Sequence, residues 1–334
     1  MKIIVEANIP YIKGLLEAFG EVEYLPAAEI NAGAVKEADA LFVRTRTRCD
    51  SRLLSGSRVR FIATATIGTD HIDPGYCREN GIAVYNAPGC NAPAVAQYVF
   101  AAIGNFLHGQ SPDGLTLGVV GVGHVGSIVA RWGERLGMRV MPCDPPRQRK
   151  EGGGFASLEK IAAEADIITF HTPLTTDGCD RTFHLADKAF LNSLKKCKLL
   201  INSSRGAVVD NSALLDAING KKIEAAAIDC WENEPEINRQ LLEKAFIATP
   251  HIAGYSSDGK KRATAMVLEA FCRHFNVKID GIPHTDAPAA GADITSIRQV
   301  TESYDPMSDT ARLKANPDKF EQLRNTYPLR PECR

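Results

Sequence analysis

The 334-residue chain has no C-x-x-C pair among its nine cysteines, which stand apart at positions 49, 77, 90, 143, 179, 197, 230, 272 and 333. That spacing argues against a zinc ribbon and a vicinal redox couple, and reduced thiols in a cytoplasmic protein are the expectation. An excess of one charge is also lacking. Lys and Arg total 39 against 40 Asp and Glu, for a formal net charge of −1. No global field draws the chain to nucleic acid or to an anionic membrane surface, so neither partner is expected. Long apolar runs are missing too. The longest, Ala92–Leu107, is interrupted by Pro93, Gln97 and Asn105 and is too short and too polar to span a bilayer. The opening Met-Lys-Ile-Ile-Val-Glu alternates like a strand and has none of the apolar core of a secretion signal.

What the chain does contain begins with Leu117-Gly-Val-Val-Gly-Val-Gly-His-Val-Gly126. An apolar β-prone run leads into Gly121, Gly123 and Gly126 in G-x-G-x-x-G spacing, and a helical pattern follows from Ser127. Strand, glycine loop and helix in that order form a dinucleotide-binding fingerprint. The first glycine permits a tight turn, the second lets the backbone approach a pyrophosphate, and the third lets helix and strand pack closely. A second apolar run, Arg139–Cys143, leads to Asp144, 18 residues after Gly126. An acid there suits an adenosine ribose and repels a 2′-phosphate, so NAD is the expected cofactor. Arg147, Arg149 and Lys150 nearby weaken that preference.

Strand and helix patterns alternate through most of the chain, predicting α/β architecture with parallel sheets. Strands are expected at 2–6, 22–25, 39–44, 59–65 and 82–85, with an amphipathic helix over Pro10–Phe19. After the long helix Ala92–Leu107, six more are expected: 117–120, 140–143, 167–170, 199–201, 225–228 and 247–248. Six strands suit a doubly wound dinucleotide fold whose functional residues lie at the strands' carboxyl ends. The expected organisation is a substrate lobe over 1–91, a nucleotide-binding domain over 92–255 and a return helix closing the substrate lobe over 256–283. A short extension over 284–334, with one helix at Asp318–Asn325, completes it.

Three residues suit the oxidation of an alcohol. Arg205, in the loop after a buried strand, can hold a carboxylate with two parallel hydrogen bonds. His251, after the last strand, can take a hydroxyl proton as a neutral imidazole. Glu234, in Trp231-Glu-Asn-Glu-Pro235, can fix the tautomer of that imidazole if it reaches the far ring nitrogen. Arg44, Arg46 and Arg48 alternate with Thr45 and Thr47, so an extended backbone would put three guanidinium groups on one face for a phosphate. No metal site is indicated. His71 and His171 are expected to be structural.

Arg205, Glu234 in D-C-W-E-N-E-P and His251 in T-P-H-I-A-G-Y together resemble the D-2-hydroxyacid dehydrogenase family. Val43-Arg-Thr-Arg-Thr, Thr64-Ala-Thr-Ile-Gly-Thr-Asp-His-Ile-Asp73, Ala87-Pro-Gly-Cys-Asn-Ala92 and Cys143-Asp-Pro-Pro-Arg147 extend the likeness from Lys2 to about Arg273. The resemblance implies a doubly wound NAD-binding domain and a discontinuous, flavodoxin-like substrate domain. It implies that Arg205 binds substrate, Glu234 supports the histidine and His251 is the acid/base. It also implies NAD contacts from His124, Val125, Asp144, Thr172, Asp229 and Gly254, and substrate contacts from Thr45, Thr66 and Tyr255. A homodimer acting on a small phosphorylated 2-hydroxy acid is expected. Another substrate of the same family, 3-phosphoglycerate or an unphosphorylated acid, or a non-catalytic NADH-sensing role, is the alternative.

Overall fold

A computed structural model describes residues 1–333 as two compact units, one comprising 1–91 and 257–289, the other 92–256 and 290–333. The first unit holds five parallel strands: β1 (Lys2–Glu6), β2 (Glu21–Leu25), β3 (Ala40–Val43), β4 (Phe61–Thr64) and β5 (Ala83–Tyr85). Their spatial order is β2-β1-β3-β4-β5, the flavodoxin-like arrangement. Parallel strands covered on both faces read as unbroken apolar runs. Accordingly Ile3 and Val5 join one buried cluster and Ile4 the other, and Phe42 and Leu41 divide in the same way. The helix Ser257–Phe275 supplies Val267, Leu268 and Phe271 to the first of these clusters.

The expected helix over Pro10–Phe19 does not form. Only a short 3-10 turn, Glu17–Phe19, is present. Tyr11 and Gly14 take positive φ angles of 63° and 89°, which a right-handed helix cannot accommodate. Ile9, Ile12 and Leu16 are buried all the same, so the apolar spacing reflected burial and not helicity.

The second unit contains β6 (Thr116–Val120), β7 (Arg139–Cys143), β8 (Ile167–Phe170), β9 (Leu199–Asn202), β10 (Ala225–Ile228) and β11 (Ile247–Ala248). All pair in parallel, in the order β11-β10-β9-β8-β6-β7. The winding reverses between β6 and β8, and ligands of open α/β sheets bind outside the carboxyl ends of strands at such a switch point.

The residues after Pro283 are not a loose tail with one helix. Three helices form, Ile297–Ser303, Pro306–Ala315 and Phe320–Asn325. Ile297 and Val300 pack into the core on one face of the second sheet, Leu313 and Phe320 into that on the other. Thr310 also accepts from the Ala248 N–H at 3.1 Å, covering the edge strand β11. The Ser, Asp and Pro that read as loop in the sequence are helix starts: Ser296 and Asp305 cap the first two helices and Pro306 occupies a first-turn position.

Candidate active site

The glycine loop leaves β6 at Val120. Gly121 has φ +86°, and a Cβ there would lie 2.8 Å from the carbonyl carbon and oxygen of His171 and 2.9 Å from Thr172 Cγ2. This glycine therefore sits against the segment following β8, at the switch point. A Cβ on Gly126 would lie 1.9 Å from the Gly121 carbonyl oxygen, so this position requires glycine for the helix His124–Arg135 to start where it does. At Gly123 a Cβ would meet nothing within 4 Å, and Gly123 and His124 are exposed. The open cradle coincides with a helix first turn, whose N–H groups have no intrahelical partner. Val125, half-buried, lies in that turn.

Asp144 follows β7 and turns back to the loop, accepting from Val122 N–H at 2.8 Å and capping the next helix at Arg147 N–H, 3.0 Å. Two of the nearby cations are engaged by other acids: Arg147 pairs with Glu151 at 2.7 Å and Arg149 with Asp180. Thr172 Oγ1, Ser203 Oγ and His171 Nδ1 are buried without a protein partner among the described residues. Buried polar atoms are normally satisfied, so these orphans, the open cradle at Gly123 and the acid at 144 fit a dinucleotide. Burial pushes the His171 ring down to about 3. The ring stays neutral, with Nε2 3.0 Å from Thr169 Oγ1.

The loops after β9, β10 and β11 carry Arg205, Glu234 and His251. Asn202 closes β9 and braces the first of them, donating to the Arg205 carbonyl at 3.0 Å and accepting from Ser204 N–H and Oγ at 3.2 and 2.9 Å. Gly206 has no room for a side chain, because a Cβ would lie 1.9 Å from the Trp231 carbonyl oxygen. The loops of Arg205 and Glu234 are thus packed backbone to backbone. Arg205 remains half-exposed.

His251 takes a left-handed backbone, φ 57°, a conformation that costs a non-glycine residue energy unless its surroundings enforce it. Asp229 supplies the enforcement. Its carbonyl accepts from His251 N–H at 2.9 Å, and its buried carboxylate accepts from Ile252 N–H at 2.7 Å, Ala253 N–H at 3.0 Å and Thr249 Oγ1 at 2.7 Å. Burial raises the pKa of this carboxyl. Its hydrogen bonds mark Asp229 as an organiser of the histidine loop.

The imidazole Nδ1 lies 2.8 Å from Glu234 Oε2 and 3.1 Å from Oε1, and Oε1 also accepts from Trp231 N–H at 2.9 Å. Burial pushes the Glu234 carboxyl up, but His251, the Trp231 N–H and Arg324 outweigh it and hold the group below its ordinary value. A carboxylate on Nδ1 keeps the proton there and leaves Nε2 with its lone pair. Cys230 Sγ lies with Glu234 and His251 inside a 4.8 Å cluster. Burial drives that thiol well above its usual value, and it donates to the Ser204 carbonyl at 3.4 Å. The other two members are bonded to each other as a carboxylate–imidazole pair.

In the first unit, Val43-Arg-Thr-Arg-Thr is not extended past Val43, and the three guanidinium groups do not share the face expected of a strand. The chain turns at Arg44–Thr47 because buried Glu6 accepts from Arg44 N–H at 2.8 Å and from Thr47 Oγ1 at 2.9 Å. Arg44 donates to the Asn8 carbonyl and Arg48 pairs with Asp50 at 2.9 Å, while Thr45 and Arg46 are exposed. Thr66 Oγ1 lies 2.7 Å from Thr64 Oγ1 and donates to the Gly68 carbonyl at 3.1 Å. His71 Nε2, 3.1 Å from Thr64 Oγ1, buttresses this turn.

Two site residues escaped the reading of the sequence, both in the C-terminal extension. Arg324 Nη1 stands 3.6 Å from Glu234 Oε2, and its guanidinium hydrogen-bonds Tyr255. Arg330, buried, donates to the carbonyls of Ile252 and Tyr255 at 3.2 Å and to that of Ala253, tying down the segment that carries Gly254. No local motif announces either residue.

Residues 95–253 match the model of the D-isomer specific 2-hydroxyacid dehydrogenase NAD binding domain. D-lactate dehydrogenase from Aquifex aeolicus, solved with NAD and lactic acid, is similar at 27% identity and a TM-score of 0.67, over 82% of this chain and 96% of that one. The class is that of NAD-dependent oxidoreductases. Erythronate-4-phosphate dehydrogenase of Bacteroides thetaiotaomicron is 50% identical over 99% of this chain and 97% of its own length. The protein of that name from Escherichia coli strain SMS-3-5 is 42% identical over 99% and 92%. The chain belongs to the erythronate-4-phosphate dehydrogenases, a branch of the D-isomer specific 2-hydroxyacid dehydrogenases.

Proposed function

We propose that the chain oxidises 4-phospho-D-erythronate to (R)-3-hydroxy-2-oxo-4-phosphooxybutanoate with NAD, a step of pyridoxal 5'-phosphate biosynthesis. The observation that carries this reading is the contact of His251 Nδ1 with Glu234 at 2.8 Å, with no protein partner on Nε2 among the described residues. Arg205 binds the substrate carboxylate and so orients the carbon beside it. Nε2 of His251 takes the C2 hydroxyl proton, and Glu234 stabilises the imidazolium that results. When bound, NAD accepts the C2 hydride, so C2–H is lost, C2=O forms and the substrate is oxidised by two electrons. Gly121, Gly123, His124, Val125, Gly126, Asp144, Thr172 and Gly254 are proposed to hold the cofactor, with Asp229 acting through the histidine loop. Thr45, Thr66 and Tyr255 are proposed to bind substrate, with Arg44 and Arg46 serving its phosphate. A cytoplasmic homodimer is part of the same reading.

The deciding assay measures NAD reduction with 4-phospho-D-erythronate, with 3-phosphoglycerate and with an unphosphorylated 2-hydroxy acid. A kcat/KM highest on the first is expected. Preference for either of the others replaces the substrate but keeps the class. Tight NADH binding with no turnover on any acid would point to a sensing role and overturn the reading.

A further inference from the structure

The C-terminal extension reaches the catalytic pair. The helix Phe320–Asn325 is anchored by Phe320, which is 1% exposed in the core against the second sheet. One turn on, Arg324 extends to Glu234 Oε2, the same oxygen that lies 2.8 Å from His251 Nδ1. The two members of the ion pair are largely shielded from water, at 18% and 17% side-chain exposure. Water screens such a pair less than it does a surface bridge. Six residues further along, Arg330 clamps three carbonyls of the histidine loop, and Glu332 accepts from Ser256 Oγ at 2.8 Å.

We infer that Arg324 is a positioning residue for the proposed reaction: it fixes the Glu234 carboxylate on His251 and sets the electrostatic balance of that pair from the C-terminal extension. Glu234 favours the imidazolium, whereas the Arg324 cation beside it opposes a second positive charge. Other groups facing the pair are Asp229 and Cys230 from the loop after β10, Arg205 from the loop after β9 and Tyr255 from the histidine loop, with Glu321 3.8 Å from Arg324 on its own helix. Tyr255 and Glu321 themselves contact Arg324, so the charge-keeping Arg324→Lys variant is the control that isolates the cation in any shift of the pH profile.

The inference rests on His251 being the acid/base, which His251→Ala in the full-length chain tests separately. Retained turnover there overturns the proposed function, whatever Arg324 does. In the same assay of NAD reduction, Arg324→Gln is expected to lower kcat/KM roughly tenfold, chiefly through kcat. It should also move the acid limb of the profile to higher pH by roughly half a unit to one unit. Arg324→Lys, which keeps the charge, should leave that limb in place. In a Glu234→Gln background the added Arg324→Gln should cost less than about twofold more, since the partner is already neutral. If Arg324→Gln does not fold, Arg324→Lys and its combination with Glu234→Gln carry the same test. An unmoved acid limb, a loss confined to KM, a displaced limb in the lysine variant, or full additivity with Glu234→Gln would overturn the assignment.

Discussion

Glu234→Gln removes one charge at nearly constant volume, and the structure fixes what that costs. The carboxylate receives His251 Nδ1 at 2.8 Å and Trp231 N–H at 2.9 Å, with Arg324 3.6 Å away. An amide offers a single acceptor oxygen. If that oxygen takes the Oε2 place, it keeps His251 and the NH2 confronts the Trp231 N–H; if it takes the Oε1 place, it keeps Trp231 and the NH2 confronts the His251 Nδ1–H and the Arg324 cation. Either way at least one charge-assisted hydrogen bond goes, a loss of about 1.5–3 kcal/mol. Applied to the transition state, this predicts a fall of roughly 10- to 150-fold in kcat/KM. The imidazolium also loses its counter-charge, so the acid limb of the rate profile should move to lower pH, opposite to the shift expected for Arg324→Gln. Stability follows the same group. The native Glu234 carboxyl is held below its ordinary 4.5, so its contribution is fully present above that pH and lost as pH falls through the folded value. Melting curves of the two proteins should therefore differ at neutral pH and converge in acid. Initial rates of NAD reduction across pH are the assay. A Gln variant within twofold of the native rate at every pH would refute the pairing as a catalytic device.

The remaining predictions concern the loops and the core. Arg205→Lys keeps the charge but not the planar fork, and should lower kcat/KM roughly 10- to 150-fold by losing about one charge-assisted bond, with the melting temperature unchanged because Asn202 holds the loop. Gly126→Ala places a Cβ 1.9 Å from the Gly121 carbonyl oxygen, so calorimetry should show a lowered melting temperature, with NADH binding weakened in a fluorescence titration. Gly123→Ala meets nothing within 4 Å, and should preserve the melting temperature while still weakening NADH. Equal effects of the two would contradict the division of roles within the loop. Phe320→Ala should destabilise the second unit by about 3–5 kcal/mol in denaturant titration, as for any fully buried aromatic. A change below about 0.5 kcal/mol, typical of an exposed site, would contradict its place in the core.

The strands of both sheets, the glycine loop and the strand-end loops that carry Arg205, Glu234 and His251 were legible in the sequence. Each rests on a pattern confined to one short segment: an unbroken apolar run for a buried strand, glycines at fixed spacing for a turn, and one Arg, Glu or His placed next to a strand end. A local pattern misled where burial and helicity share one spacing, as in Pro10–Phe19. It misled again where a distant acid bends the chain, as Glu6 does at Arg44–Thr47. Which oxygen of Glu234 meets which nitrogen of His251 was not readable in advance, nor was the left-handed turn that Asp229 imposes on the histidine. Arg324 and Arg330 lay furthest from view, since their partners are many tens of residues earlier and nothing in their own segment marks them. Hydrophobic periodicity and turn chemistry act between near neighbours, so the sequence by itself determined the elements and their order. Ion pairs and carbonyl clamps act between residues that only the closed fold brings within 4 Å, and these decided how His251 is held.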